Sequence, residues 1–328
     1  MTDVTGKVLE IEVDVAVVGL GMSGIAAALA AAEQGATVAG IEHGAATGGS
    51  ARLARGLVWA VQDMEAFRRS DPEADLALLA EVACSLPDDV EWINAYGFAT
   101  GPRMDGLYGM GYGYRVTGDL PDTFATLEQA LRDAGAHVLS GHRLDGLRRT
   151  GQHVSEEPAW ALVGKTNTGE RFSLKARSVV LAMGSYAASR QRLQSYLGDA
   201  AGRMQLRAGA NSLGRSLDLA ERLGLATAGR FDRFYGHLMP YGFQARESDY
   251  APITLNVSEF GLLFDRSGHR FTDESRGDWF NAEAVALQAG GLAEGQPPLL
   301  PGLRHLQGVG VLEQRLGGDA APVEADAA

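Results

Sequence analysis

Apolar and polar positions along the chain first mark a short, unbroken apolar run, Val15-Ala16-Val17-Val18. It is too short for a helix and is followed at once by Gly19-Leu20-Gly21-Met22-Ser23-Gly24. Such a run predicts a strand buried on both faces. Ile25 to Gln34 is Ala-rich and reads as a helix, with Gly35 where a helix stops. Thr37 to Glu42 predicts a second strand that ends on an acid. Residues 71–97 predict one or two helices. They open at Asp71-Pro72-Glu73, with Leu76, Leu79, Val82 and Ala83 at helical spacing and Val90 and Ile93 beyond Pro87. Asp122 to Gly135 predicts a helix with Phe124, Leu127 and Leu131 on one face. Strands follow at 136–139 and 142–147, and 161–163 and 171–174 form a hairpin about Asn167-Thr168-Gly169. Ser178 to Leu181 predicts another buried strand, ending in the small residues Ala182 and Gly184. Strands alternating with helices in this way predict an α/β fold with a parallel sheet.

The turn after the first strand is G-x-G-x-x-G, and each part has a physical task. Gly19 makes the turn, Gly21 lets the backbone approach a pyrophosphate, and Gly24 lets helix and strand pack closely. The helix N-terminus that follows this turn offers N–H groups and a favourable dipole to phosphate. Glu42, followed by His43, stands where a carboxylate accepts bonds from ribose hydroxyls. An acid there disfavours a 2′-phosphate and so argues against NADP. Glycine spacing alone is weak evidence. Strand, turn, helix, strand and acid in this order point to a dinucleotide.

Composition narrows the picture further. The chain has 328 residues, enough for two domains, and is 45% hydrophobic. Its formal charge is −12, with no basic run that would predict nucleic-acid binding. Cys84 stands alone, which excludes an internal disulfide and a cysteine metal cage, and it is expected as a small core residue on a helix face. No apolar stretch of about 20 residues predicts a membrane span. Met1 to Glu10 is polar and lacks the apolar region of a signal peptide, so a cytoplasmic protein is expected.

A second glycine-rich segment, Gly48-Gly49-Ser50-Ala51-Arg52-Leu53-Ala54-Arg55-Gly56-Leu57-Val58-Trp59, follows the acid. In a plain NAD domain a helix would begin there. With the first motif, this segment resembles the fumarate reductase/succinate dehydrogenase flavoprotein family, in the branch that includes 3-ketosteroid dehydrogenases. The segment is similar to the family's G-G-S-(S/T)-x-x-S-G-G-x-x-W, with Ala54 and Arg55 departing from Ser and Gly. Ser178 to Tyr186 resembles V-V-L-A-T-G-G-(F/Y), with Met183 and Ser185 as departures. Asn211 to Ser216 falls where the family has N-T-G-D-G, with Gly214 kept and Arg215 and Ser216 in place of Asp and Gly. Gly261 to Glu274 resembles G-x-x-V-(N/D)-x-x-G-x-R-F-(V/T)-(D/N)-E.

The resemblance implies a Rossmann-like FAD-binding domain of the glutathione-reductase type with an inserted α+β cap domain. It implies FAD as cofactor. The cofactor would be held by Gly19, Gly21, Met22, Ser23, Gly24, Glu42 and His43, then by Gly48, Gly49, Ser50, Arg55 and Gly56 beside the flavin. Leu144 would offer its backbone to adenine, and Ala182 and Gly184 a close approach. The expected division is 1–222 for the FAD-binding domain, 223–288 for part of a cap, and 289–328, rich in Pro and Gly, for a poorly ordered tail.

The implied reaction is dehydrogenation or reduction of an activated C–C/C=C bond in a small-molecule substrate. Candidate proton handlers are Tyr114, His237 and Arg276. Tyr114 lies in Met104 to Arg115, with four glycines and three tyrosines, which reads either as a substrate-facing loop or as a glycine hairpin. The family places a catalytic Arg four residues after the Glu matched by Glu274. Here Arg276 comes two residues after it and Asp278 takes the fourth place. The family's return segment, which completes the flavin site, is not visible. A second reading is therefore an incomplete flavoprotein that needs a partner chain to finish the site. A third, an NAD-binding protein, is opposed by the Gly48 segment and the 178–186 strand.

Overall fold

The structure is a computed structural model that describes residues 9–150, 159–199, 201–204, 206–233, 236–239, 246, 249–255, 257–265, 267–288, 305–306 and 309–313. The chain divides into two compact units. The first takes residues 1–193, 205–229 and 246–251, and the second 194–204, 230–245 and 252–328.

The first unit opens with β1 (Leu9–Val18), α1 (Met22–Glu33) and β2 (Val38–Ile41). Then come β3 (Leu57–Val61), α2 (Met64–Ser70), α3 (Leu76–Asn94), β4 (Met104–Leu107) and β5 (Gly111–Arg115). The chain continues with α4 (Leu120–Asp133), β6 (His137–Leu139), β7 (His142–Arg149), β8 (Trp160–Thr166) and β9 (Arg171–Leu181). Further along lie α5 (Arg190–Leu197), α6 (Arg215–Leu223) and the short α7 (Tyr250–Ile253), of which α5 and α7 each have residues in both units.

The main sheet has the order β6-β2-β1-β9-β8-β7. β6, β2, β1 and β9 run parallel, β8 adds antiparallel to β9, and β7 adds antiparallel to β8. The apolar run of β1 lies at the centre because each of its faces has a core to fill. Val17 packs with Ile25 and Leu29 of α1 and with Phe124, Leu127 and Leu131 of α4. Ala16 and Val18 face Leu162, Phe172 and Leu174 on the other side. Burying each Leu or Phe of this kind stabilises by about 1.5–3 kcal/mol. The expected α/β architecture with a parallel sheet is what these elements build.

Three local expectations change. The helix expected from Asp71 starts at Leu76, because Asp75 caps it by accepting from the Leu78 N–H at 3.0 Å. α3 then runs unbroken through Pro87 and buries Leu86, Val90 and Ile93. Cys84 is not a core residue: it is exposed, since the buried stripe of α3 passes on the other side. The 104–115 stretch is a hairpin. β5 pairs with both β3 and β4 in a three-stranded sheet. Gly111 and Gly113 are required by close approach, since a methyl there would stand 2.5 Å from the Ala60 and 2.3 Å from the Val58 carbonyl oxygen, respectively. Tyr112 is buried and its hydroxyl donates to the Ala83 carbonyl, so it is a core residue of this hairpin.

The second unit holds β10 (Gly261–Phe264), α8 (Asp278–Gln288), β11 (His305–Leu306) and β12 (Val309–Glu313). β12 pairs antiparallel with β10 and β11. Its apolar core joins Leu238, Leu263, Ala282 and Val285. Within the stretch 289–328, read as a tail, only 305–306 and 309–313 are described, and the rest lies outside the described residues.

Candidate functional site: a crevice above the central strands

β1 ends in the glycine turn, and the turn's geometry follows from what surrounds each position. Gly19 has φ +93°, and a methyl there would stand 2.4 Å from the Ala182 carbonyl oxygen at the end of β9. A methyl at Gly24 would stand 1.8 Å from the Gly19 carbonyl oxygen, so helix and turn touch backbone to backbone. Gly21 is different: a methyl there would meet nothing nearer than the Gly48 carbonyl oxygen at 3.9 Å. The turn is therefore open where a ligand's backbone approach is needed and closed where packing is needed. α1 follows with Gly21 as its N-cap, no side-chain cap and no acid in its first turn. Its N-terminal N–H groups are left for an anion.

Glu42 closes the other end of the βαβ unit. It is 7% exposed, accepts the Leu20 N–H at 2.8 Å and the Gly44 N–H at 2.6 Å, and lines the crevice. Each carboxylate oxygen keeps capacity for a further donor, such as a ribose hydroxyl. The second glycine segment is laid beside the first. The Gly48 N–H donates to the Leu20 carbonyl at 2.7 Å. Gly48 has φ +101°, and a methyl there would meet Arg52 and Phe124. Ser50 joins this segment to a distant loop: its hydroxyl accepts the Gly209 N–H at 3.1 Å and lies 3.0 Å from the Ser212 hydroxyl.

The crevice has a volume of about 660 Å³, within the range of small-molecule and cofactor sites. It brings together most of the residues expected from the sequence. Gly19, Gly21, Met22 and Ser23 line it at the turn, Glu42 and His43 beyond β2, and Gly48, Gly49 and Ser50 on the second segment. Leu144 from β7 and Ala182 and Gly184 after β9 complete those found.

Three cofactor candidates do not line it. Gly24 is consumed in packing against Gly19. Arg55 is exposed and its carbonyl accepts a bond from Arg115 at 3.1 Å. Gly56, with φ +68°, packs beside Val116 and accepts the Val116 N–H at 2.8 Å. The chain has already turned into β3 at this point, which takes both residues out of the crevice wall.

Arg52, Arg143 and Arg215 also line the crevice and were not among the expected residues. Arg52 sits inside the second glycine segment and Arg215 at a departure from the N-T-G-D-G pattern, so both had a positional signal. These cations outnumber the one acid, Glu42. Burial first, then the charges of Arg215 and Arg143, hold His43 below the usual imidazole range, against the pull of Glu42 and Asp145. This favours the neutral form of its ring. Among the described residues no group of acids, histidines and cysteines is placed to hold a metal ion. No helix among them is long and apolar enough to cross a membrane.

The proton-handling candidates fall in different units. Tyr114 is on β5 of the first unit, edge-on to Tyr112 with ring centroids 6.4 Å apart. His237 and Arg276 belong to the second unit. There His237 Nδ1 contacts the carboxylate of Asp278, which is 1% exposed and also accepts the Ser258 hydroxyl at 3.3 Å. Arg276 lies over the Phe280 ring, 4.8 Å from its centroid. Glu274 is 2% exposed, accepts the Leu263 N–H at 2.5 Å and is held by Arg270 Nε at 2.9 Å.

Comparison with solved structures finds the same fold in many chains, three enzymes among them. A 3-ketosteroid-Δ4-(5α)-dehydrogenase from Rhodococcus jostii RHA1 superposes with a TM-score of 0.63 at 19% identity, over 88% of this chain and 65% of its own. A flavocytochrome c3 fumarate reductase gives 0.65 at 20% identity, over 85% and 50%. A 3-ketosteroid Δ1-dehydrogenase from Sterolibacterium denitrificans gives 0.64 at 17%, over 85% and 66%. The chain thus spans half to two thirds of the length of these neighbours. Comparison with curated proteins finds no match. The model of a family described as an FAD binding domain matches residues 14–118 and 112–300. With a match over most of its length, the chain belongs to the FAD binding domain family, and its cofactor is FAD.

Proposed function

We propose that this protein is an FAD-dependent oxidoreductase that dehydrogenates or reduces a C–C/C=C bond of a small molecule. The observation that carries this reading is the crevice itself: an open Gly21 at an uncapped helix N-terminus, with a buried carboxylate, Glu42, at the far end of the same βαβ unit. FAD, when bound, supplies hydride transfer at the flavin. The chain's residues bind and orient it. The N-terminal amides of α1 and the charge of Arg52 face pyrophosphate, Glu42 accepts from ribose, and the Leu144 backbone meets adenine. We assign the second unit to the cap. In it, the Asp278 carboxylate contacts His237 Nδ1 and so orients the ring, which makes His237 a candidate to take or give a proton. Tyr114 and Arg276 are the other candidates for this task. Support for the reaction class comes from the dehydrogenase and reductase neighbours.

A second reading, in which a partner chain completes the flavin site, is favoured by one observation. Arg55 and Gly56, expected beside the flavin ring, stand away from the crevice. The test is the visible spectrum of the purified protein. The yellow absorption of bound oxidised flavin, bleached by a saturated hydride-donating substrate or, after chemical reduction, restored by an activated alkene, supports the first reading. Flavin retained only after a second chain is added supports the other. A protein that stays colourless when titrated with FAD ends both.

A further inference from the structure

Beyond Leu144 the crevice adjoins a recess of about 420 Å³. Leu144, Met183 and Leu219 give it aliphatic walls, and charged side chains surround them. Most of these charges are matched within the protein. Arg143 Nε donates to Asp145 at 2.9 Å, Arg192 holds the Asp218 carboxylate, and Arg222 donates to the Asp218 carbonyl at 3.2 Å. Arg215 is half-buried and has no hydrogen-bond or ion-pair partner among the described residues. It lines both the recess and the crevice.

The fold holds Arg215 there firmly. It is the first residue of α6, and Gly214 before it adopts φ +76°. The Gly214 N–H donates to the Ser185 carbonyl at 3.0 Å, and the Ala188 N–H to the Ser212 carbonyl at 2.9 Å. These bonds tie the start of α6 to the loop after β9. The charge of Arg215 acts on His43, which places it toward the Glu42 end of the crevice. Negative charge on the ligand is served elsewhere, by the α1 N-terminus. What remains to be met at this end is a flat, uncharged base. A guanidinium is planar and weakly hydrated, and it stacks on aromatic faces far better than an ammonium.

We propose that Arg215 recognises the adenine of FAD, lying on one face of the purine while Leu144 and Met183 supply the aliphatic wall. The proposal rests on the FAD reading of the crevice and adds a residue that sets cofactor affinity in this chain.

The experiment is isothermal titration of the full-length apo-protein with FAD, ADP, FMN and inorganic pyrophosphate, for wild type, Arg215→Ala and Arg215→Lys. Thermal melts confirm that each variant is folded. The expected result is a loss of about tenfold in affinity for FAD and ADP in Arg215→Ala, with FMN and pyrophosphate unchanged. Arg215→Lys should be no better than Arg215→Ala, because an ammonium keeps the charge without the plane. Wild-type ADP affinity in Arg215→Ala, equal weakening of pyrophosphate, or rescue by Lys would each overturn the adenine role. Failure of the wild type to bind either FAD or ADP would instead overturn the FAD reading.

Discussion

The buried carboxylate of Glu42 accepts the main-chain N–H of Leu20 at 2.8 Å, which ties the end of β2 to the glycine turn after β1. One side chain thus shapes the crevice floor and offers lone pairs to a ligand. Structure and recognition are coupled at this residue, and the two contributions can be separated experimentally.

Glu42→Arg should weaken FAD binding by tenfold or more, since a cation replaces the ribose acceptor, and hydrogen bonds to a charged group are worth about 1.5–3 kcal/mol. Glu42→Gln should lose less affinity, because the amide oxygen still accepts one bond. Flavin fluorescence titration measures both. Unchanged affinity in Glu42→Arg would remove Glu42 from the cofactor site.

Gly21→Ala and Gly24→Ala separate binding from packing. Gly21→Ala adds a methyl in open space, so the melting temperature should hold while FAD affinity falls at least tenfold. Gly24→Ala drives a methyl into the Gly19 carbonyl and should destabilise the apo-protein by about 1–3 kcal/mol or more. Denaturant unfolding of the two apo-variants checks the contrast, and equal stability would refute it.

Asp278→Asn removes the charge facing His237 from a site that is 1% exposed. Disturbing a buried hydrogen-bonded contact in this way costs about 1–3 kcal/mol. A proton-handling His237 would also give a lower turnover with a shifted pH profile, whereas a purely structural pair would lose stability alone.

Glu274 predicts an acid sensitivity of the second unit. Burial works to raise its pKa, but the Arg270 hydrogen bond and the Leu263 amide outweigh it and hold the carboxyl below its ordinary value of 4.5. A depressed folded-state pKa stabilises above the unfolded value and is lost as pH falls through the folded one. Stability should therefore drop below pH 4.5 in wild type, and Glu274→Gln should flatten that slope. Urea midpoints measured across this range decide it.

Cys84 provides a check on the surface. It is exposed on α3, so one equivalent of a thiol reagent should label the folded protein without denaturant. Labelling only after unfolding would restore the buried position expected from its apolar neighbours.

How much of this was legible in the sequence depends on the range of the interaction involved. The strand, glycine turn, helix and acid from Val15 to Glu42 are encoded locally, by period, glycine spacing and one carboxylate, and they emerge as β1, α1 and β2 with Glu42 in the crevice. The second glycine segment was equally legible as far as Ser50. Beyond it, Arg55 and Gly56 leave the crevice because β3 pairs with β5, whose residues lie far along the chain. The helical period of α3 did not reveal which face would be covered, so Cys84 was placed wrongly.

The sequence by itself determined the dinucleotide-binding unit, because its glycine turn, helix and acid are each encoded over a few residues. Only the tertiary structure decided the opposite wall. Ser50 meets Ser212 across a separation of 162 residues, and Arg215 enters the same crevice beside Leu144 through loop bonds such as that from Gly214 to Ser185. Contacts of this range are set by how the sheet and its loops close on one another. No local pattern of hydrophobic and polar residues records that closure.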